Sequence, residues 1–304
     1  MTARRQQFLT PSVRLSRWIS AFFTQHSFRG AGMLRDRIAR VLIPRPSGPV
    51  IVPTTLGLDL FIDPTLDRGV EWDLYYQGVY EAGTLHVLRH VLRQGDTFVD
   101  VGANIGLMTL AGATAVGPAG RVYAFEPLPS MHQMLMRNIE LNGAANVRAF
   151  AVALGETTED RTIYENTDVN RASASLIDTG RSRAAAVVRV EVLDRFLREL
   201  GVGAIRALKI DAEGWDLHVL RGAKDLLSSD AAPVVIVETG RRKDVHDFLT
   251  ATNDYQVFKL KWGKGSISPL QRVRGAHDLP RHDNLFCFRP VHISAGMRAL
   301  FANR

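Results

Sequence analysis

The sequence predicts a doubly wound α/β fold, in which helices cover both faces of a mostly parallel sheet. Strand-like and helix-like stretches alternate through the middle of the chain, as in successive β–α units. Stretches such as VVIV at 234–237 are continuous apolar runs, which is typical of strands buried on both faces. The stretch TFVDVGANIGLM at 97–108 joins a strand to a helix through a glycine turn, the place where such folds bind ligands.

The chain of 304 residues divides into four predicted segments. They are a basic helical extension at 1–49, a hairpin with a lead-in helix at 50–92, the α/β core at 93–290 and a tail at 291–304. Two short apolar runs around a glycine turn, Val50–Pro53 and 58–62, predict the hairpin. Apolar residues recur on one helical face at about 83–92, which predicts the lead-in helix.

The core elements follow from the same patterns. Strands are predicted at Thr97–Val101, Arg121–Phe125, 147–151, Ala207–Ile210 and 234–237. Helices are predicted at about 105–115, 130–142, 193–200, 215–221 and Lys243–Ala251. No long helix separates the strand-like runs at 255–260 and 284–288, which predicts an antiparallel pair at the sheet edge. The polar stretch 165–183 is interpreted as an inserted loop long enough to have a function.

The positive charge is concentrated in the predicted extension. Residues 1–46 hold nine arginines and one acid, Asp36, so their net charge is +8. The net charge of the whole chain is +7, so the remaining residues sum to −1. Trp18, Ile19, Phe22 and Phe23 lie among these arginines and predict a short amphipathic helix. Such a segment is either a docking helix or a frayed terminus, or else an interfacial or polyanion-binding segment that makes peripheral contact with a membrane.

The single cysteine, Cys287, excludes a disulfide framework and a four-cysteine zinc site. Residues 101–120 carry no formal charge over the length of a membrane span, but five glycines and a proline interrupt them. No transmembrane segment is therefore predicted. We expect a reducing, cytoplasmic location, with membrane association at the cytoplasmic face through the extension as an additional possibility.

The glycine turn has the features of an anion-binding strand–helix junction. Gly102 permits a tight turn, Gly106 permits close approach of a ligand to the backbone, and the helix from Ile105 offers free N–H groups. Glu126 ends the next strand, 24 residues after Gly102, where a carboxylate can accept both hydroxyls of a ribose. These features alone fit either a nicotinamide cofactor or S-adenosylmethionine.

Asp100, which directly precedes the turn, favours the second cofactor. A carboxylate is repelled by a pyrophosphate but attracted by a sulfonium and an ammonium group, and either effect is worth a few kcal/mol at about 4–6 Å. The spacing G-x-x-x-G also differs from the dinucleotide fingerprint. The alternative is an aspartate that only caps the following turn.

Four motifs in this order resemble those of the FkbM-family methyltransferases. They are DTFVDVGANIGLMTL, RVYAFEPLPSMHQMLMRNIELNG, ALGE and LKIDAEGWDLHVLRGA. The resemblance runs from about residue 78 to residue 288. It implies a Rossmann-like class I fold that uses S-adenosyl-L-methionine, with methyl transfer usually to a hydroxyl of a sugar or other natural product.

The resemblance also implies which residues hold the cofactor. By position, Asp100, Gly102, Asn104 and Gly106 would hold its methionine end. Glu126, with Pro127 after it, would hold the ribose, and Ala151 with Val152 would line the adenine. Glu81, next to Tyr80, corresponds to the segment with which family members cover the cofactor.

Candidate catalytic residues follow the strand ALKI. Asp211 and Glu213 are two residues apart, so extended backbone would direct both carboxylates to the same side. Either of them could act on the hydroxyl of the acceptor; alternatively, Asp211 caps a helix and Glu213 pairs with an arginine. Glu238 ends VVIVE and is a third acid of the same cleft, so a magnesium site is conceivable, but no metal site is predicted.

A histidine is a further candidate base. His282 precedes the last strand, and Asp283 beside it could orient its ring. A solvent-exposed loop histidine without a catalytic role is the alternative.

The predicted function is therefore S-adenosylmethionine-dependent O-methylation of a sugar, glycolipid or secondary metabolite. Two alternatives use the arginine-rich extension: an RNA methyltransferase, or a non-catalytic protein that docks on a membrane or a complex. The basic excess is confined to residues 1–46 and the amide-methylating N-P-P-[YF] signature is absent, so no nucleic-acid partner is expected. The sequence gives no prediction of the oligomeric state.

Overall fold

The computed structural model describes residues 11–25, 31–166, 173–180, 182–239, 242–252 and 254–301. The extension contains two helices, α1 (Pro11–Gln25) and α2 (Ala31–Leu42). The predicted hairpin is formed by β1 (Val50–Pro53) and β2 (Asp59–Ile62), which pair antiparallel. Two helices then lead into the core, α3 (Val70–Gln77) and α4 (Ala82–Val91).

The core contains a central sheet of eight strands. These are β3 (Thr97–Val101), β4 (Arg121–Phe125), β5 (Val147–Phe150), β9 (Ala207–Ile210), β10 (Val234–Thr239), β11 (Gln256–Leu260), β12 (Leu270–Arg272) and β13 (Asp283–Phe288). The spatial order is β12-β11-β13-β10-β9-β3-β4-β5. Strands β10 to β5 of this order run parallel, whereas β13, β11 and β12 pair antiparallel at one edge, which confirms the predicted fold class.

Helices cover both faces of this sheet. They are α5 (Leu107–Val116), α6 (Pro129–Leu141), α7 (Leu193–Glu199), α8 (Asp216–Gly222), α9 (Lys224–Ser228) and α10 (Lys243–Ala251). Successive strand residues face opposite sides, so Phe98 packs in the cluster of α4 and α5, whereas Val99 packs in that of α8 and α10. Met297 and Leu300, in the segment predicted as a tail, are buried in the first of these clusters.

A second sheet of three strands was not predicted. It consists of β6 (Ala153–Gly155), β7 (Glu159–Asn166) and β8 (Ser182–Val192), in the order β6-β8-β7. The stretch 165–183, interpreted as a strand-poor loop, therefore includes the end of β7 and the start of β8, and residues 173–180 lie between them. Residues 167–172 and 181 of that stretch lie outside the described residues. We call β7, β8 and residues 173–180 the arm.

Within the described part of the chain, no helix is long and apolar enough to cross a bilayer. This agrees with the interpretation of residues 101–120, which form the end of β3, the glycine turn and α5.

Candidate active site

A cavity of about 310 Å³ opens at the carboxyl ends of the parallel strands. Val101 at the end of β3, Phe125 at the end of β4, Asp211 after β9 and Glu238 in β10 all line it. This position is where open α/β sheets bind their ligands, and the volume is at the lower end of the range of small-molecule pockets, about 300–1,000 Å³.

The glycine turn forms the floor of the cavity by bringing three segments together. Gly102 has φ +74°, and a Cβ on it would lie 1.8 Å from the carbonyl oxygen of Asp211, so only glycine allows the ends of β3 and β9 to approach. Gly106 has φ +96°, and a Cβ there would lie 2.7 Å from Leu135 Cδ1 of α6. Gly106 is not among the residues that line the cavity, so its role in ligand approach stays a prediction, and its left-handed φ is the feature of this position that favours glycine.

Glu126 follows β4, lines the cavity two strands away from Asp211, which follows β9, and is almost completely buried. Its Oε2 accepts a hydrogen bond of 2.8 Å from the backbone N–H of Asn104, and its Oε1 accepts one of 2.9 Å from that of Leu128. Burial outweighs these two bonds and raises the pKa of Glu126 to about 7. Each carboxylate oxygen has a second lone pair, so the group can still accept bonds from a ligand.

A cluster of carboxylates that form ion pairs with two lysines also lines the cavity. Lys264, from the loop between β11 and β12, lies 2.7 Å from Glu81 and 2.6 Å from Glu238. Lys209 of β9 lies 3.1 Å from Asp211. We call these five residues together with Glu213 the acid–lysine cluster, and all six line the cavity.

Asp211 and Glu238 form a coupled pair of carboxyl groups. Their carboxyl groups are hydrogen-bonded to each other. Burial and the charge of Asp211 raise the pKa of Glu238, whereas Lys209 and the bond from Glu238 keep the pKa of Asp211 low in spite of its burial. These shifts favour the ionised form of Asp211 and the protonated form of Glu238, which can then donate a hydrogen bond to Asp211.

Glu213 stands at the mouth of the cavity, where its side chain remains exposed. The protein around its carboxyl group and, after that, the charge of Asp211 raise the pKa of Glu213 to about 8. Asp216 stabilises the loop between β9 and α8, since its carboxylate accepts hydrogen bonds from the N–H groups of Ala212 (2.9 Å) and Gly214 (3.1 Å).

Three residues that line the cavity have left-handed backbone conformations that are uncommon outside glycine. Their φ angles are +49° at Glu81, +52° at Asn104 and +49° at Glu213. Such strain concentrates at functional sites, where the surrounding structure holds it in place. Its occurrence at three points around one cavity supports a functional role for this cavity.

A comparison with protein families agrees with this location. Residues 100–258 match the family described as the Methyltransferase FkbM domain. The chain belongs to the FkbM methyltransferase family. The matched residues include the glycine turn, Glu126 and four of the six residues of the acid–lysine cluster, whereas Glu81 and Lys264 lie outside the match.

Named relatives extend the match beyond this domain. The 31-O-demethyl-FK506 methyltransferase FkbM of Streptomyces tacrolimicus is 32% identical over 243 residues, 69% of this chain and 85% of that protein. Methyltransferase 1 of Beauveria bassiana (strain ARSEF 2860) is 32% identical over 178 residues, 51% of this chain and 69% of that protein. The crystal structure of Methyltransferase FkbM from Methylobacillus flagellatus KT aligns with 91% of this chain at 18% identity and a TM-score of 0.44, and the chain covers 59% of that one.

The fold brings most of the predicted site residues to the cavity. Those that line it are Glu81, Gly102, Asn104, Glu126, Pro127, Val152, Asp211 and Glu213. Ala151, expected beside the adenine, is exposed and does not line it, because the cavity wall continues from Val152 into β6.

Asp100 does not line the cavity either, which corrects the expected direct contact with the cofactor. It is fully buried on the face of the sheet that α5 covers, where Thr109 donates a bond of 2.6 Å to its Oδ2. Asp100 and Lys209 are register partners on adjacent strands, and Lys209 Nζ lies 3.9 Å from Asp100 Oδ1. Asp100 is therefore separated from the cavity and is linked to it only through its neighbour Lys209, which lines the cavity.

His282 is exposed and does not line the cavity. Asp283 is turned inward, and its Oδ1 accepts a bond of 2.8 Å from the N–H of Asn284, so no contact of Asp283 supports the predicted role of orienting His282. Among the described residues no group of carboxylate, histidine and cysteine side chains has the arrangement of a metal site.

The two lysines that line the cavity, Lys209 and Lys264, were not predicted from the sequence. Lys209 interrupts the buried strand ALKI, and a lysine in a continuous apolar run is a signal of a buried partner that could have been used. Lys264 gave no such signal, because it lies in the polar loop KWGKGS and meets its partners only in the folded chain.

Replacing Lys264 with methionine is expected to lower the free energy of unfolding by about 3–5 kcal/mol, because the buried Glu81 would lose its counter-charge and Glu238 would lose a hydrogen bond. The control is Lys243→Met, which removes an exposed ion pair to Asp247 and is expected to leave the free energy of unfolding nearly unchanged, because solvent screens this pair. Urea unfolding of both variants measures the difference. Equal losses of unfolding free energy in the two variants would mean that Lys264 does not stabilise the acid–lysine cluster.

Proposed function

We propose that this protein is an S-adenosylmethionine-dependent O-methyltransferase that acts on a neutral hydroxyl of a sugar, glycolipid or secondary metabolite. The observation that carries the proposal is the composition of one cavity, which is lined by both Glu126 and Asp211, the latter with a pKa that Lys209 keeps low. The first suits a ribose and the second suits a hydroxyl that must lose its proton.

The residues around the cavity fit the methyl donor. Glu126 offers buried acceptor atoms for two hydroxyls, Val152 and Met131 provide apolar surface for an aromatic base, and Asn104 lies at the turn that precedes α5. The charges of Glu81 and Asp211 are balanced by Lys264 and Lys209, so the charge that favours a cation in the remaining space is that of ionised Glu126. When bound, S-adenosylmethionine supplies a methyl group that is activated by a positively charged sulfur.

Asp211 is the group that we assign to proton transfer. Its carboxylate lines the cavity, accepts hydrogen bonds from Lys209 and Glu238, and is held ionised by both. A hydroxyl bound against it would be oriented by donating its hydrogen bond to Asp211, and the proton would move to the carboxylate as the oxygen takes the methyl group. Glu238 is the positioning residue of this pair.

The charges of the cavity favour a neutral acceptor. Both lysines that line it are already engaged by carboxylates, so within the described residues neither is left unpaired for a phosphate or carboxylate of the acceptor. The arm adds Ser173, Ala174 and Leu176 to the wall, a mixture of polar and apolar groups that suits a hydroxylated natural product. A relative named for methylation of a demethyl-FK506 is consistent with this class.

Titration calorimetry with S-adenosylmethionine, S-adenosylhomocysteine and NAD tests the cofactor, and transfer of a labelled methyl group to glycan and lipid extracts tests the acceptor. We expect both adenosyl compounds to bind and NAD not to bind. Binding of NAD without either of them would refute the proposed cofactor.

The affinity for S-adenosylmethionine is expected to depend on pH through Glu126. Its pKa of about 7 means that the carboxylate is largely protonated at acid pH, and the ionised form attracts a cationic ligand. Lowering the pH from about 8 to about 6 should therefore weaken binding up to about tenfold. Calorimetry across this range measures the effect. Glu126→Gln should bind more weakly and lose this pH dependence, and an unchanged profile in the variant would assign it to another group, such as Glu213.

A further inference from the structure

Helix α1 exposes its large apolar side chains and buries its small polar ones. Leu15, Trp18 and Phe22 are spaced for one helical face and are 50%, 67% and 45% exposed, and the rings of Trp18 and Phe22 stack at 6.0 Å. Ser16 and Ser20, by contrast, are buried. A helix that only packs on a protein in water buries its apolar face, so this orientation requires another explanation.

Exposed positive charge lies on the helix that packs against α1 and directly after it. Helix α1 packs against α2, which exposes Arg37 and Arg40, and Arg45 is exposed directly after it. Within residues 1–46 the arginines exceed the acids by eight charges, whereas the remainder of the chain is slightly negative. The positive charge of the protein is thus placed on the segment that carries the exposed aromatic face.

We propose that α1 and α2 form a docking surface for an anionic membrane, on which α1 lies parallel to the bilayer plane. Leu15, Trp18 and Phe22 would enter the region between headgroups and acyl chains, where aromatic side chains are favoured, and the arginines would contact anionic headgroups. No helix among the described residues has the length and apolarity of a span, so the contact is peripheral. This inference does not rest on the proposed methyl transfer.

A nucleic acid explains the observations less well. Phosphates would account for the arginines, but they offer no apolar phase to Leu15 and Phe22. Single-stranded RNA can stack on exposed aromatic rings, so RNA is the alternative that the experiment has to separate.

The test is flotation of the full chain with phosphatidylcholine vesicles that contain or lack phosphatidylglycerol. We expect flotation only with the anionic vesicles, and less of it at high salt. Trp18→Ala should weaken partitioning by about tenfold. The matched control is Trp262→Ala, which removes a tryptophan that is 52% exposed elsewhere and should float like the unchanged protein. Arg37→Gln and Arg45→Gln should each weaken partitioning by about fivefold.

Two further measurements keep the result interpretable. Far-ultraviolet circular dichroism and thermal melting should be unchanged in Trp18→Ala, because this side chain is largely exposed. Tryptophan emission should shift to the blue when anionic vesicles are added to the unchanged protein, and this shift should disappear in Trp18→Phe. Equal flotation of Trp18→Ala and Trp262→Ala would overturn the proposal, and so would tight binding to poly-uridine without flotation.

Discussion

Replacing Asp211 with asparagine is expected to lower kcat for methyl transfer by about 10²–10⁴-fold, the usual contribution of a positioned general base. Asparagine preserves the shape of the side chain and can still accept bonds from Lys209 and Glu238, but it cannot take a proton from the acceptor hydroxyl. Affinity for S-adenosylmethionine should change little, because we assign cofactor binding to Glu126 and the glycine turn. Steady-state kinetics and calorimetry on the same preparation separate the two effects.

The matched control is Asp194→Asn, at a partly buried aspartate far from the cavity. The Asp194 carboxylate accepts bonds of 2.7 Å and 3.0 Å from the N–H groups of Asp225 and Leu226, so its substitution also replaces a hydrogen-bonded carboxylate by an amide. We expect nearly normal turnover in this control. Retention of normal turnover by Asp211→Asn would remove Asp211 as the base and leave Glu213, the other carboxylate of the same loop, as the candidate.

The sheet was predictable because its strands are buried on both faces. Runs such as VVIV remain apolar whichever way the side chains point, so β3, β4 and β9 were predicted with the observed bounds. Strand β8 was not, because most of residues 183–187 are exposed and show no alternation of apolar and polar positions. Pairing with β7 and β6, rather than burial, accounts for that strand.

The site was predictable only where position in the fold decides the role. Glu126 and Asp211 follow strands that end at the same edge of the sheet, so topology alone brings them to one cavity. For Asp100 the direction of the side chain mattered, and the sequence does not tell which face of β3 α5 will cover. Lys264 was beyond reach, because its pairing with Glu81 joins residues 183 positions apart.

Among substitutions that add one methyl group at the cavity, Gly102→Ala is expected to have the largest effect on stability and binding. The new Cβ would lie 1.8 Å from the carbonyl oxygen of Asp211, so β3 and β9 would have to separate at the ends that carry the site. Together with the left-handed conformation at φ +74°, this should lower the free energy of unfolding by about 3 kcal/mol or more. Because the displaced backbone carries Asp211 itself, both cofactor binding and turnover should be lost.

Gly57→Ala separates the clash from the backbone strain. Gly57 has φ +78°, close to that of Gly102, but a Cβ there would meet no atom within 4 Å. This control should therefore show only the cost of a left-handed alanine, about 1–2 kcal/mol, with normal binding of S-adenosylmethionine. Urea unfolding and calorimetry of both variants make the comparison. If Gly102→Ala were destabilised no more than Gly57→Ala and still bound the cofactor, the close approach of β3 and β9 could not be what the glycine turn provides, and its glycine would be explained by φ alone.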